Sequence, residues 1–199
     1  MLVFSNCKIN LGLNVINKRL DGFHNLKTVF YPINWLDALE VIEDDRSKNG
    51  FSFSQSGLTI DVPIENNLIY KAWQLINNKT KLPPIKVNLV KRIPMGAGLG
   101  GGSSNAAYFI TLINSKFELG LSSNDMIQLS AQIGSDCAFF INNKPVFAEG
   151  KGDVLSSINI NLNQYYILLV FPNIYCNTKD AFNNLVYQTP TNELKTIIE

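Results

Sequence analysis

The chain has few of the residues that mark secreted, metal-binding or nucleic-acid-binding proteins. Its 199 residues include one histidine and three cysteines, and the formal net charge is only +1. Cys7, Cys137 and Cys176 are odd in number, widely separated and without metal-ligand spacing, so we expect reduced thiols. The small net charge gives no basic field for nucleic acid and no acidic tail.

Long apolar segments are also missing. The longest apolar run, residues 165–171, is far too short to span a bilayer. The N-terminus has no basic region followed by an apolar core, so no signal peptide is visible. We therefore expect a cytoplasmic protein with no membrane partner. A composition of 46% hydrophobic and 17% charged residues is ordinary for a globular protein of one generous domain or two small ones.

Glycine, in contrast, is concentrated in one place. Five of the seven residues 96–102 are glycine, which adopts positive φ at no steric cost. Residues 85–91 alternate like a strand, and the apolar residues after the glycines recur at helical spacing behind Ser103, the predicted N-cap. A strand, a glycine loop and a helix N-terminus together predict a phosphate site. A flexible linker is the poorer interpretation, because the glycines lie tightly between two regular elements.

Three known phosphate loops fit this stretch poorly. Gly102 stands where a Walker loop needs lysine. The dinucleotide spacing G-x-G-x-x-G is present from Gly96 to Gly101, but Glu118 ends a helical pattern where an acid should end a second strand. The later His-Arg-Asp and Asp-Phe-Gly sequences of protein kinases do not occur. A Walker NTPase, a dinucleotide-binding protein and a protein kinase are therefore disfavoured.

The rest of the chain predicts a mixture of strands and helices. The predicted strands are residues 2–16, 26–33, 35–43, 51–54, 146–149 and a buried one at 165–171. The predicted helices are 66–78, 126–133 after the capping residues 122–125, 178–187, and one from about 191. Asp21-Gly22 predicts a turn. A polar, Asn-rich shift at 156–163 predicts a boundary between domains 1–155 and 156–199.

Three ionisable side chains could carry chemistry, and each has a structural alternative. Asp136 follows a helix beside apolar residues, which suits a general base, but an aspartate there could simply cap a turn. Lys8 lies on the polar face of the first strand and matters only if that face points at the glycine loop. His24 could satisfy a local backbone group. Phe23 and Phe182 are, by themselves, core or surface aromatics.

Separated segments resemble, in order, the kinase superfamily named for galactokinase, homoserine kinase, mevalonate kinase and phosphomevalonate kinase. They also resemble, within it, the 4-diphosphocytidyl-2-C-methyl-D-erythritol kinases. The segments are 8–13 with 19–26, 94–107, and 134–136 with 139–140 and 147–150. The glycine segment is typical of the superfamily, and Asp21-Gly22-Phe23-His24 is typical of the narrower family. The agreement of several independent segments is stronger than any one of them.

The resemblance implies an α+β, two-domain small-molecule kinase fold with an N-terminal domain like domain 2 of ribosomal protein S5. It also implies ATP and magnesium, and transfer of the γ-phosphate to the 2-hydroxyl of 4-diphosphocytidyl-2-C-methyl-D-erythritol. By the same resemblance Asp136 takes the hydroxyl proton, Lys8 positions that carboxylate, and Ser104 lies near magnesium. The residues expected to wrap the ATP phosphates are Pro94, Met95, Gly96, Ala97, Gly98, Leu99, Gly100, Gly101, Gly102, Ser103 and Ser104.

The resemblance also implies an acceptor site. Its expected residues are Asn10 beside the substrate, His24 bonded to cytosine, Phe23 and Phe182 stacked on the two cytosine faces, and Thr178 near the methylerythritol end.

The sequence departs from the family pattern at several points. Phe23 stands where tyrosine is usual, and Cys137-Ala138 stand where Val-Pro is common. The second glycine-rich motif of the family does not occur before Glu199, so the second domain looks incomplete and we expect weak or absent turnover from these 199 residues alone. The alternatives are another kinase of the superfamily, a catalytically silent nucleotide-binding module and, least favoured, a dinucleotide dehydrogenase.

Overall fold

A six-stranded sheet is the centre of the computed structural model, which describes residues 1–172, 185, 187 and 193–198. The strand order is β3-β4-β2-β5-β6, with β1 paired to β2. β3 and β4 are parallel, and the other described pairs are antiparallel. The strands are β1 (Leu2–Lys18), β2 (His24–Glu43), β3 (Phe51–Gly57), β4 (Ile85–Lys91), β5 (Val146–Glu149) and β6 (Val154–Ser157).

The α-helices lie between β3 and β4, between β4 and β5 and after β6, and with the mainly antiparallel sheet they make the fold α+β as expected. They are α1 (Leu68–Asn77), α2 (Gly101–Lys116), α3 (Ser123–Ala131), α4 (Cys137–Asn142) and α5 (Leu194–Ile198), with 3₁₀ turns at Lys48–Gly50 and Ile64–Asn66. Among the described residues, none of the helices combines the length and apolarity needed to cross a membrane.

The main core lies between one face of the sheet and the helices. Strand residues on that face alternate with more exposed ones, so Val87 and Leu89 of β4 are buried while Val90 is 43% exposed. They pack with Phe109 and Ile110 of α2 in one cluster. Burial of this apolar face holds α2, and with it the glycine loop, against the sheet.

The first two strands form a long hairpin around the predicted Asp21-Gly22 turn. The sequence predicted two strands at 26–33 and 35–43, and this prediction is wrong because β2 runs unbroken through both. The register of β1 against β2 shifts between Asn6 and Cys7, so Asn34 and Trp35 are absorbed as a bulge instead of ending the strand.

The starts of α1 and α3 follow local capping chemistry, and the start of α2 does not. Asn67 accepts the backbone N–H of Ile69 at the start of α1, and Ser122 forms a capping box with Asp125 at the start of α3. The predicted N-cap Ser103 is wrong: the N-cap of α2 lies three residues earlier, at Gly100, which has a left-handed conformation (φ 69°). Ser103 therefore lies inside the first turn.

Of the elements predicted after residue 160, one is wrong, one lies mostly outside the described residues and one is confirmed. The predicted buried strand at 165–171 is wrong, because these residues join no described strand and Tyr166, Leu168 and Val170 are more than 80% exposed. Most of the predicted helix 178–187 lies outside the described residues. The last helix is confirmed from Leu194 onwards. The two-domain division stays a prediction, and β6 runs across the proposed boundary at residue 155.

Candidate active site

The glycine loop adopts a backbone that side chains disfavour. Gly96, Gly98 and Gly100 have φ of 68°, 71° and 69°, whereas Ala97 and Leu99 between them have no positive φ. Left-handed residues in a loop before a helix N-terminus are typical of backbones that present N–H groups to an anion. The left-handed glycines are consistent with the interpretation of this stretch as a phosphate loop, which stays a prediction.

The first turn of α2 continues this surface. The N–H of Ser104 bonds to the Gly100 carbonyl at 2.8 Å, so the amides of Gly101, Gly102 and Ser103 precede the first intrahelical bond. These amides lie at the positive end of a 16-residue helix. A Cβ at Gly101 would come within 2.8 Å of Lys91 Nζ, so close packing beneath the helix start also requires glycine there.

Lys8 fastens the loop to β1. Its backbone N–H donates to the Leu99 carbonyl at 3.0 Å, and its Nζ donates to the Gly98 carbonyl at 2.8 Å and to Asn10 Oδ1 at 2.7 Å. The Lys8 residue is 5% exposed, so the polar face of this strand points at the loop and not at solvent. Burial lowers the pKa of the Lys8 ammonium, and the nearby Asp136 carboxylate opposes that shift.

Asp136 faces Lys8 across the loop. Its Oδ2 lies 3.5 Å from Lys8 Nζ, and its side chain is 30% exposed. Asp136 occupies the N-cap position of α4, yet its side chain makes no cap hydrogen bond. The capping alternative for Asp136 is therefore wrong. The carboxylate lines the cavity and, besides its contact with Lys8, accepts a hydrogen bond from Ser135 Oγ at 3.4 Å.

A cavity of about 700 Å³ opens in front of this pair. Gly98 and Gly100 form its loop side, and Phe30 lies 4.9 Å beneath Lys8 Nζ. Two more lysines, Lys18 and Lys151, also line it. Three ammonium groups against one carboxylate make the cavity suitable for a ligand of several negative charges. Lys18 and Lys151 could not be recognised from sequence alone, because a lone lysine near a turn gives no signal of its own.

The predicted cytosine residues reach the same cavity in part. Phe23 is 54% exposed, and Lys151 Nζ lies 5.0 Å from its ring centre. His24 Nε2 lies 3.0 Å from the hydroxyl of Tyr187, a residue that the sequence analysis did not single out. The other two predicted substrate residues, Thr178 and Phe182, lie outside the described residues.

The Ser104 hydroxyl, which was predicted to lie near magnesium, offers no open coordination position. The Ser104 residue is fully buried, and its Oγ has no hydrogen-bond partner in the described part of the chain. Magnesium requires near-octahedral geometry and keeps several waters, which an enclosed hydroxyl does not allow. Within the described residues, no cluster of three or more His, Cys, Asp or Glu side chains could hold a metal ion. Ser104 as a magnesium neighbour stays a prediction that this geometry does not support.

Beneath the loop lies a buried ion pair that the sequence did not reveal. Lys91 Nζ donates a hydrogen bond to Asp37 Oδ2 in an ion pair, and both side chains are 0% exposed. Asp37 Oδ1 accepts the backbone N–H groups of Arg92 (2.7 Å) and Ile93 (2.9 Å), and its Oδ2 accepts Asn105 Nδ2 at 2.9 Å. Asp37 therefore ties β2 and β4 to both ends of the glycine loop.

The loop separates the large cavity from a second, smaller cleft. This cleft has a volume of about 100 Å³ and is lined mainly by apolar residues, among them Leu68, Leu89 and Met95, with Gly102 at the loop side. Because the cleft touches the first turn of α2, a group bound there would lie next to anything held by the loop amides.

The two described cysteines behave as the sequence predicts. Cys7 and Cys137 are free and buried. Burial raises the pKa of each thiol to about 11, so both are protonated at neutral pH and poor nucleophiles.

Relatives of this chain share its whole length. The chain is 48% identical over 198 residues to a protein of Bacteroides fragilis named 4-diphosphocytidyl-2-C-methyl-D-erythritol kinase, covering 100% of this chain and 72% of that protein. A Parabacteroides distasonis protein of the same name is 42% identical, with the same coverage. Residues 67–144 match the family described as GHMP kinases N terminal domain.

Solved structures agree with these sequence relatives. A crystal structure of a 4-(cytidine 5'-diphospho)-2C-methyl-D-erythritol kinase superposes with a TM-score of 0.67 at 31% identity, covering 81% of this chain and 56% of that one. The mevalonate kinase of Methanococcus jannaschii superposes at 0.59 with 12% identity over 80% and 56% of the two chains, which shows a shared fold. This chain belongs to the 4-diphosphocytidyl-2-C-methyl-D-erythritol kinase family and has the GHMP kinase fold.

Proposed function

We propose that this protein transfers the γ-phosphate of ATP to the 2-hydroxyl of 4-diphosphocytidyl-2-C-methyl-D-erythritol. The observation that carries the proposal is the convergence of three groups: the loop amides, the Lys8 ammonium and the Asp136 carboxylate. Lys8 Nζ lies 2.8 Å from a loop carbonyl and 3.5 Å from Asp136 Oδ2, so an anion on the loop and a base meet at one cation. Phosphoryl transfer needs mainly this kind of positioning and charge stabilisation.

The loop and α2 are proposed to hold the ATP phosphates. Fixed amides require little reorganisation as charge develops on the transferring oxygens, and the helix N-terminus favours negative charge. The adenine end is assigned to the small cleft beside Met95 and Gly102, because a flat, weakly polar base suits its lining of Leu68 and Leu89.

The chemical step is assigned to Asp136 and Lys8. The Asp136 carboxylate accepts the proton of the acceptor hydroxyl while the acceptor oxygen forms a bond to the γ-phosphorus. The bond between that phosphorus and the β–γ bridging oxygen breaks, and ADP leaves with the electron pair. Lys8 holds the carboxylate and compensates charge on the transferring group. Kinases use magnesium to neutralise phosphate charge, and its ligands here would be mostly phosphate oxygens and water.

The acceptor is assigned to the large cavity. Asn10 and the Lys8–Asp136 pair lie at one part of its wall, and Phe23 and His24 lie at another. Lys18 and Lys151 supply positive charge for the diphosphate between the cytidine and methylerythritol parts. Phe23 lacks the tyrosine hydroxyl that is usual in the family, but its ring keeps a stacking surface for cytosine. The cytoplasm is the expected location.

The test is phosphorylation of the acceptor by the full-length gene product. We expect mass spectrometry to find a product one phosphate heavier after incubation with ATP, magnesium and 4-diphosphocytidyl-2-C-methyl-D-erythritol. Cytidine diphosphate should compete with this acceptor but not with ATP. If only mevalonate-like alcohols gain a phosphate, the chain is another kinase of the superfamily. ATP binding with no product from any acceptor would favour a silent nucleotide-binding module.

A glycine substitution separates nucleotide binding from general stability. In Gly98→Ala, we expect the Kd for ATP to rise about tenfold, because a left-handed alanine costs about 1–2 kcal/mol and nucleotide binding requires that backbone. No atom lies within 4 Å of a Cβ at Gly98, so the effect comes from φ and not from a clash. Isothermal titration calorimetry measures the Kd.

Gly120→Ala is the matched control for this prediction. Gly120 has φ 69° and equally open surroundings, but lies between α2 and α3, away from the loop. In Gly98→Ala the unliganded loop can relax, so the strain of the left-handed residue appears on ATP binding. Gly120→Ala should lower Tm and leave the Kd for ATP unchanged. An equal loss of affinity in both variants would refute the role of the loop backbone.

A further inference from the structure

A buried threonine on β2 lies next to the residues around Lys8. Thr28 is 0% exposed and pairs with Leu13 on β1 and Ala148 on β5. Its hydroxyl makes two hydrogen bonds: Oγ1 donates to the Gly12 carbonyl at 2.6 Å and accepts from Asn10 Nδ2 at 2.9 Å. A buried hydroxyl with both partners in place is fixed in direction.

The donor and the acceptor of each hydrogen bond between Lys8, Asn10, Thr28 and Gly12 follow from the chemistry of Lys8. An ammonium has only donors, so Asn10 must present Oδ1 to Lys8 Nζ, at 2.7 Å. The amide group of Asn10 therefore points Nδ2 towards Thr28, and the Thr28 oxygen must accept. The Thr28 proton is then left for Gly12, whose carbonyl accepts it. No other assignment satisfies every partner.

The carbonyl of Gly12 is available because the strand bulges there. The register of β1 against β2 shifts between Leu11 and Leu13, which leaves Gly12 as the extra residue with φ 70°. Leu194 of α5 packs over this position so closely that a Cβ on Gly12 would lie 2.5 Å from Leu194 Cδ1. The bulge is thus held from both sides, and its carbonyl stays directed at Thr28.

We infer that Thr28 is a positioning residue for phosphoryl transfer, which acts by fixing the Asn10 amide so that its oxygen holds the Lys8 ammonium. Thr28 touches neither the loop nor Asp136 in any described hydrogen bond, so its effect passes through Asn10. If the amide of Asn10 were free to turn over, Nδ2 would face Lys8 and repel it, and the ammonium would lose one of its three oxygen contacts. The kinetic consequence rests on the proposed function, while the orientation of Asn10 does not.

The kinetic test uses two variants of Thr28 in two backgrounds. Thr28→Val keeps the shape but removes both hydrogen bonds, and we expect kcat to fall about tenfold, the value of one to two lost bonds, with the KM for ATP unchanged. Thr28→Ser keeps the hydroxyl, so its kcat should be close to that of the wild type and well above that of Thr28→Val. In an Asn10→Ala background, Thr28→Val should change kcat by less than about twofold, because the residue through which it acts is gone.

An equal loss from Thr28→Val in both backgrounds would show that Thr28 acts by packing alone and would overturn the inference. Failure of Thr28→Ser to restore kcat would overturn it too. The wild-type protein supplies a measurement that needs no variant and no turnover: the Nδ2 hydrogens of Asn10 should exchange slowly with solvent by NMR. Fast exchange of the Asn10 Nδ2 hydrogens would refute the inference even if the enzyme transfers phosphate. Slow exchange in a protein that transfers no phosphate would count only against the proposed function.

Discussion

In Asp136→Asn, kcat is expected to fall by about 10²–10⁴-fold while ATP binding is retained. A general base contributes about this factor, and asparagine cannot accept the hydroxyl proton. The substitution keeps the size of the side chain and removes a negative charge from beside the phosphate loop, so the Kd for ATP should stay the same or decrease. Product formation in the full-length gene product gives kcat, and calorimetry gives the Kd.

Asp45→Asn is the control for this result. Asp45 is exposed and follows the end of β2 opposite to His24, so the same chemical change there should leave both kcat and Kd unaltered. Undiminished turnover in Asp136→Asn would remove Asp136 from the chemical step. A parallel rise in the Kd for ATP would instead make Asp136 part of the nucleotide site.

The glycine loop was predictable because its information is local. Left-handed backbone at alternating positions requires glycine at residues 96, 98 and 100, and these glycines lie close together in the sequence. The strand before the loop and the helix after it carry their own periodicity. The predicted N-cap at Ser103 was wrong. Serine is the better side-chain cap, but a left-handed Gly100 already occupies the cap position.

The partners of Lys8 were not predictable from local sequence. Gly98 and Asp136 are 90 and 128 positions away along the chain, and only the fold brings them to the ammonium. The sequence placed Lys8 on the polar face of a strand, where lysine is usually solvated. The resemblance to a kinase family supplied the pairing with Asp136, and the 3.5 Å separation is consistent with it.

The wrong strand at 165–171 shows what composition cannot provide. An apolar run indicates that a segment is suited to burial, but burial also needs a surface that covers it. Here Leu169 packs beside the cluster of Cys7, Ile93 and Leu99, and its neighbours Leu168 and Val170 are exposed. The alternation in β4 succeeded because α1 and α2 lie over its apolar face.

Removal of the Asp37 carboxylate should strongly destabilise the fold. In Asp37→Ala, we expect the free energy of unfolding to fall by about 3–5 kcal/mol, because the substitution leaves the Lys91 ammonium buried and unpaired. Burial already lowers the pKa of Lys91 even with Asp37 in contact, so Lys91 should lose its proton more easily in the variant. Urea unfolding followed by circular dichroism measures the change.

Glu43→Ala is the matched comparison, since Glu43 lies on the same strand and pairs with Lys116 at 2.8 Å, with its side chain 57% exposed. A surface pair of this kind should cost less than about 1 kcal/mol. Asp37 also holds the amides of Arg92 and Ile93 at the start of the glycine loop. The stability loss should therefore be accompanied by weaker ATP binding, which Glu43→Ala should not show. Equal stability of the two variants would mean that the Asp37–Lys91 pair is replaced by water at no cost, and the loop would need another anchor.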